Sequence, residues 1–145
     1  MTFRSFAGRE YRGVRVGGYR NLASRDPKTQ WSFKALDGPD KGLKVAEGES
    51  AALTDCAPYV RRSTRERILA GSADQAKGHK GHREVHAWIT GILAEDEPEL
   101  AAPARVTYHP FERGDFFYPD TGETFTGAAL VVFSHDGHCY TERAS

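Results

Sequence analysis

Residues 129–141 read ALVVFSHDGHCYT, and this stretch decides the fold that the sequence predicts. The β-prone run Ala129–Ser134 is followed, after Asp136-Gly137, by a second run, His138–Thr141. An Asp-Gly turn between two such runs is a signal of a β-hairpin, because these residues accept the backbone angles of tight turns. The C-terminal part of the chain is therefore predicted to form an antiparallel sheet.

A second hairpin is predicted at Trp31–Leu36 and Gly42–Ala46, with Asp37–Asp40 as its turn. Pro58 indicates an edge strand or an irregular segment in its own run, because proline cannot donate to a strand ladder. The other predicted strands show β-prone composition or period-two alternation, and they are Tyr11–Leu22 (one or two strands), Ala52–Val60, Glu84–Ile92, Arg105–Tyr108, Phe116–Tyr118 and Glu123–Thr126.

One short helix is predicted from a capping box, with Ser63 as the N-cap and Glu66 three residues later. Gly71 supplies a residue that accepts the left-handed conformation at the helix end. Residues 71–84 are polar and rich in glycine, and we expect a mobile loop there. The predicted class is β-rich α+β: an antiparallel sheet or small partly open barrel with one or two short helices.

The length of 145 residues predicts a single domain over residues 1–145. Formal net charge is zero, but it is unevenly distributed along the chain. Residues 1–44 carry +6, residues 45–90 carry +1, and residues 91–145 carry −7. A basic N-terminal part and an acidic C-terminal part predict separate basic and acidic faces, unless the two parts pack together and neutralise each other.

The compartment is expected to be a cytoplasm. The longest purely apolar run, Ala128–Phe133, is too short to cross a membrane, and Arg4, Arg9 and Arg12 are followed by no apolar signal core. The two cysteines, Cys56 and Cys139, form no CxxC pair and are interpreted as reduced, partly buried hydrophobes.

Five short motifs occur in order along residues 19–110 of the chain. They are Tyr19-Arg20-Asn21-Leu22, Trp31-Ser32, Arg65-Glu66-Arg67-Ile68-Leu69, Val85-His86-Ala87 and Val106-Thr107-Tyr108-His109-Pro110. In this order they resemble a group of small proteins of bacteriophages and related mobile elements, with the pattern YRNL…WS…RxRhL…VHA…VTYxP. His109 departs from the asparagine that is usual in that group. The resemblance implies a mobile-element accessory protein and carries over no residue role.

The most chemically suggestive stretch contains His79, His82, Glu84 and His86. On a helix the three histidines would share one face, as a metal site could use, but Gly78 and Gly81 weaken a helix there. His82, Glu84 and His86 are the candidates for a small histidine- or metal-dependent nuclease, with Glu84 or His109 as a second acid. The solvated-loop interpretation competes with it, and neither a catalytic residue, a metal site nor a cofactor is assigned.

Two surfaces could bind a partner. The first is acidic, with aromatic anchors that would dock in a positively charged groove, and it comprises Glu95, Asp96, Glu97, Glu99, Glu112, Asp115, Phe116, Phe117, Tyr118 and Asp120. The second is rich in arginine interleaved with aromatics, which suits phosphates and bases, and it comprises Arg9, Arg12, Arg15, Arg20, Arg61, Arg62 and Arg65.

Three functional hypotheses stay open at this point. The first is a non-enzymatic accessory protein that binds and modulates a host protein or a protein–nucleic-acid machine, as an anti-CRISPR-like inhibitor of host defence. The second is a DNA- or RNA-binding module that uses the arginine-rich N-terminal half. The third is the small nuclease. No membrane partner is expected, and the sequence does not predict an oligomeric state.

Overall fold

The computed structural model describes residues 3–5, 14–21, 26–63, 66, 87–109 and 113–142. These residues form ten β-strands and one 3₁₀ turn, Pro27–Thr29. The strands are β1 (Phe3–Ser5), β2 (Arg15–Arg20), β3 (Trp31–Ala35), β4 (Lys44–Gly48), β5 (Ala51–Val60), β6 (Ala87–Leu93), β7 (Pro103–Tyr108), β8 (Phe116–Phe117), β9 (Ala128–Phe133) and β10 (Cys139–Glu142).

All described strands belong to one antiparallel sheet in the order β1-β4-β3-β2-β6-β5-β9-β10-β7-β8. Strand β6 lies between β2 and β5, although it comes after both in the sequence. Side chains from three distant parts of the chain are therefore brought next to one another in the middle of the sheet.

The α+β class predicted from the sequence is wrong, because the regular secondary structure of the described residues is nearly all β-strand, in one antiparallel sheet. Arg62, Ser63 and Glu66 have helical backbone, but the rest of the predicted helix and the predicted mobile loop at 71–84 lie outside the described residues. The physical reason is that strand side chains supply most of the core in the described ranges, from Val16 on β2 to Phe133 on β9. In the described ranges, no helix is long and apolar enough to cross a membrane.

The sheet is strongly curled around its core. Three strands separate β3 from β9 in the sheet order, so a flat sheet would place them about 19 Å apart. Instead, the rings of Trp31 and Phe133 lie 5.1 Å apart edge to face, and the rings of Phe33 and Phe133 lie 5.4 Å apart. The Trp31 indole also donates a 2.8 Å hydrogen bond to the Ser134 carbonyl. One face of the sheet is thus the inner, core-lining face, and the other is the outer face.

Strand β5 contains a bulge, and its pairing with β9 ends there, which gives Pro58 its place. The pairing with β9 ends at Cys56, and beyond that residue β6 is the strand partner of β5 within the described part of the chain. Pro58 therefore lies where one side of the strand needs no ladder hydrogen bond. The register to β6 shifts between Thr54 and Ala57, and a side chain at Gly91, opposite this shift, would come within 2.8 Å of the Thr54 carbonyl oxygen.

Candidate functional site

Three aromatic side chains form a row on the outer face of the sheet. Tyr59 on β5 pairs directly with Trp88 on β6. Gly18 on β2 pairs with Ile89 on β6, so Tyr19 and Trp88 are also neighbours. Ile89 is buried in the core, and alternation along the strands turns the three rings to the opposite face. We call Tyr19, Trp88 and Tyr59 the ring row.

The rings of this row contact one another. The centroids of Tyr19 and Trp88 are 5.6 Å apart with planes inclined by 23°, and those of Tyr59 and Trp88 are 6.1 Å apart with planes inclined by 37°. Tyr19 and Trp88 are half-buried, whereas Tyr59 is 45% exposed. The row is therefore a continuous aromatic surface that solvent and ligands can reach, and it is open toward β5.

Gly17 makes the position of the Trp88 ring possible. A Cβ atom at residue 17 would lie 2.6 Å from Cε3 of Trp88, which is closer than real Cβ atoms approach other atoms. The indole therefore packs directly against the backbone of β2. This packing holds the ring in one orientation without enclosing it in the core.

A lysine places positive charge on the ring row. Lys34 on β3 pairs with Gly17, and its Nζ lies 5.7 Å from the ring centroids of both Tyr19 and Trp88. These distances are within the range of cation–π interactions. Ser32 on β3 pairs with Tyr19 on β2. Ser32 is fully buried, and its hydroxyl has no hydrogen-bond partner in the described part of the chain. The accessible row therefore does not extend beyond Tyr19.

The predicted arginine surface is only partly assembled around the ring row. Arg61 and Arg62 are exposed and directly follow the strand that carries Tyr59. Arg15 lies on the same face of β2 as Tyr19 and forms an ion pair with Asp55, with a 2.6 Å distance between Nη2 and Oδ2. Arg20 instead lies against Gly137 in the turn between β9 and β10. Arg9, Arg12 and Arg65 lie outside the described residues.

The predicted acidic surface has exposed carboxylates but lacks two of its aromatic anchors. Glu95, Asp96, Glu99 and Asp120 are exposed. Glu97 accepts a 3.1 Å hydrogen bond from Ser50 Oγ, and Asp115 pairs with Arg113 at 3.1 Å, while Glu112 lies outside the described residues.

The aromatic residues expected to anchor that acidic surface face the interior instead. Phe116 packs in the core cluster, Phe117 is buried beneath the Arg113 guanidinium, and Tyr118 is half-buried beside Phe125. A partner that docks on the acidic segment would meet carboxylates without the rings of Phe116 and Phe117.

The predicted histidine site cannot be described, because His79, His82, Glu84 and His86 lie outside the described residues. Elsewhere, in the ranges that the structure does describe, no group of three or more histidine, cysteine or carboxylate side chains could hold a metal ion. Burial raises the pKa of Cys56 to about 12 and also raises the pKa of Cys139, so both thiols are protonated at neutral pH.

Sequence reasoning did not name Tyr59 and Lys34 as candidate site residues, and it used Trp88 only to define a strand face. Each of the three residues lies in a predicted strand, and their alternation indicated which neighbours share their face. The missing information was the order of the strands. Without the insertion of β6 between β2 and β5, nothing in the sequence joins residues 19, 59 and 88.

Comparison with known proteins finds similarity to one family of phage proteins. The sequence model described as "Mycobacterium phage L5 gene 82 protein" matches residues 10–141. The Gene 82 protein of Mycobacterium phage L5 is 28% identical over 126 residues, which cover 86% of this chain and 93% of that protein. No solved structure shows a significant match. The resemblance to small phage proteins that the sequence suggested is confirmed at this level.

Proposed function

Since the chain belongs to the Mycobacterium phage L5 gene 82 protein family, we propose that it is a phage accessory protein that binds single-stranded DNA or RNA across the ring row. The observation that carries the proposal is the contact of Tyr19, Trp88 and Tyr59 on the outer face of the sheet, with Lys34 above two of the rings. Exposed aromatic rings beside cations are how proteins bind unpaired strands without sequence preference.

Unpaired bases suit this surface better than duplex does. Bases in a duplex are already stacked on each other, whereas an unpaired base offers a free π-face to a protein ring. Stacking contributes about 1–3 kcal/mol per base in such complexes. Lys34, Arg61 and Arg62 supply the positive charge that phosphates require, so each part of a nucleotide has a complementary group here.

The proposal is tested by fluorescence anisotropy with labelled 12-nucleotide DNA and RNA strands at low salt. We expect binding that weakens as salt is raised, because phosphate contacts release counterions. Tyr59→Ala and Trp88→Ala should each reduce affinity at least fivefold, as loss of about 1 kcal/mol or more of stacking predicts. Tyr140→Ala is the matched control, since Tyr140 lies on β10 outside the ring row.

Absence of binding to any single strand at low salt would contradict the proposal. Equal losses for Tyr59→Ala and Tyr140→Ala would also contradict it, because the ring row would then have no special role. Circular dichroism of each variant shows whether the sheet is retained, so that a loss of affinity is not confused with unfolding.

A second candidate function is docking on a host nucleic-acid machine in the host cytoplasm, as an anti-CRISPR-like inhibitor. Its support is the exposure of Glu95, Asp96 and Glu99, which could enter a basic groove that normally holds DNA or RNA. Co-elution with purified Cas effector complexes, lost on Glu95→Gln/Asp96→Asn/Glu99→Gln substitution, would support this role. The absence of co-elution, together with unchanged target binding by the effector, would count against this role.

A further inference from the structure

The bulge in β5 carries an ion pair on the same face as the ring row. Arg15 Nη2 lies 2.6 Å from Oδ2 of Asp55, and Nη1 lies 3.4 Å from the Asp55 carbonyl oxygen. Arg15, Gly17 and Tyr19 alternate along β2 and therefore share the outer face. Because the Trp88 ring covers Gly17, Arg15 is the next side chain along β2 beyond that ring.

The backbone of Asp55 shows that the bulge directs this carboxylate toward Arg15. In the described ranges, Asp55 is the one non-glycine residue with a positive φ, at 52°. This conformation is uncommon, and aspartate and asparagine tolerate it better than most residues. Bulges re-aim a side chain out of the regular ladder, and the Asp55 side chain is 78% exposed while its partner Arg15 is 35% exposed.

We propose that Asp55 is a specificity-determining residue that holds Arg15 in an ion pair in the free protein. Only a single strand whose bases stack on the ring row then gains Arg15 as a phosphate contact. This inference rests on the proposed function. A surface ion pair is weak, so a phosphate held close by a stacked base can replace the carboxylate at the guanidinium. A polyanion that cannot stack meets an arginine whose charge is already neutralised and a carboxylate that repels it.

The test compares three labelled or competing polyanions: a 12-nucleotide single strand, a 12-base-pair duplex and heparin. Asp55→Asn keeps a side-chain oxygen for Arg15 and tolerates the positive φ, but it removes the negative charge. We expect the affinity for duplex and heparin to rise about three- to fivefold, and the affinity for the single strand to rise less than twofold. The salt dependence for duplex should steepen by about one phosphate contact.

Two controls separate this role from a general change of charge. Glu123→Gln removes an exposed carboxylate outside the ring row, and it should change all three affinities by less than about 1.5-fold, since distant surface charges are screened. In an Arg15→Gln background, Asp55→Asn should no longer raise the affinity for duplex and heparin above that for the single strand, because the carboxylate acts through Arg15.

The inference is overturned if Asp55→Asn raises the affinity for all three ligands equally, or if its effect is unchanged in the Arg15→Gln background. In either case the proposed function still stands, provided that Trp88→Ala weakens single-strand binding in the same assay. If the wild-type protein binds no single strand, both the proposed function and the role of Asp55 are overturned.

Discussion

The ring row and the aromatic cluster around Phe125 place their rings in opposite ways. In the half of the sheet formed by β3, β2, β6 and β5, the ring row lies on the outer face, and Tyr59 is exposed. In the half formed by β9, β10, β7 and β8, Phe116 and Tyr118 pack edge to face on Phe125, which is 1% exposed. Aromatic content alone therefore does not distinguish a binding surface from a core.

The cations above the rings differ in the same way. Arg113 lies 4.8 Å from the Phe117 ring centroid, but it also bonds Asp115, the Gly122 carbonyl and Thr124. Its donors are used within the protein, so it fastens a loop over a buried ring. Lys34 lies over two rings that ligands can reach. A cation near an aromatic ring indicates a ligand site only where the ring itself is accessible.

The largest effect expected from this comparison is on stability. Phe125→Ala should lower the free energy of unfolding by about 3–5 kcal/mol, because it removes a buried ring and leaves a cavity. Tyr59→Ala should cost less than about 1 kcal/mol, because its ring is already partly in water. Urea unfolding followed by tryptophan fluorescence measures both, and equal losses would contradict the assignment of one ring to the core and the other to the surface.

A smaller effect is expected at Gly17. Gly17→Ala should cost about 1–3 kcal/mol and weaken single-strand binding, because the new methyl group displaces the Trp88 indole from the backbone of β2. The same substitution in a Trp88→Ala background should cost nothing measurable, since the clash has gone. If both backgrounds lose equal stability, the cost lies in the strand backbone and not in the ring contact.

The smallest effect concerns Asp136 in the turn between β9 and β10. Burial alone would raise the pKa of Asp136, but hydrogen bonds from the Tyr140 hydroxyl at 2.6 Å and the His138 N–H at 2.9 Å lower it. A carboxyl whose pKa is lowered by folding stabilises the protein above its unfolded pKa of about 3.9, and this contribution is lost as pH falls through the folded value.

Tyr140→Phe removes one of these hydrogen bonds and should raise the pKa of Asp136 toward its usual value. The loss of stability should be a few tenths of a kcal/mol at pH 7, because the group is well solvated. The difference from wild type should shrink as pH falls through the lowered pKa of Asp136, because the carboxyl then becomes protonated in both proteins. Urea unfolding at pH 7 and pH 3 tests this, and a difference that grows at low pH would contradict it.

Local features of the fold could be predicted from the sequence because they depend on neighbouring residues. The β3–β4 and β9–β10 hairpins form as expected around Asp37–Asp40 and Asp136-Gly137, where Gly38 and Gly137 have positive φ. The edge-strand expectation for Pro58 is only locally right: β5 is central in the sheet, but it has lost β9 as a partner where Pro58 lies. The other expectation, an irregular segment, agrees with the register shift between Thr54 and Ala57 directly before Pro58.

The candidate site was less predictable than the strands that carry it. The sequence placed Tyr19 and Arg15 in an aromatic and basic stretch, and the structure places both on the outer face of β2. It offered Phe116 and Phe117 as anchors, although both are buried. An apolar ring on a predicted strand can face either side, and only the packing partner on the other strands decides which side is the core.

Residue order by itself determined where most strands and tight turns lie, because alternation and turn chemistry act over a few neighbouring positions. Tertiary structure alone decided the order of the strands, the curl that brings Trp31 to Phe133, and the meeting of Tyr19, Trp88 and Tyr59. The physical reason is that strand pairing joins backbone groups that every residue carries, so partner choice depends on burying all the apolar faces together.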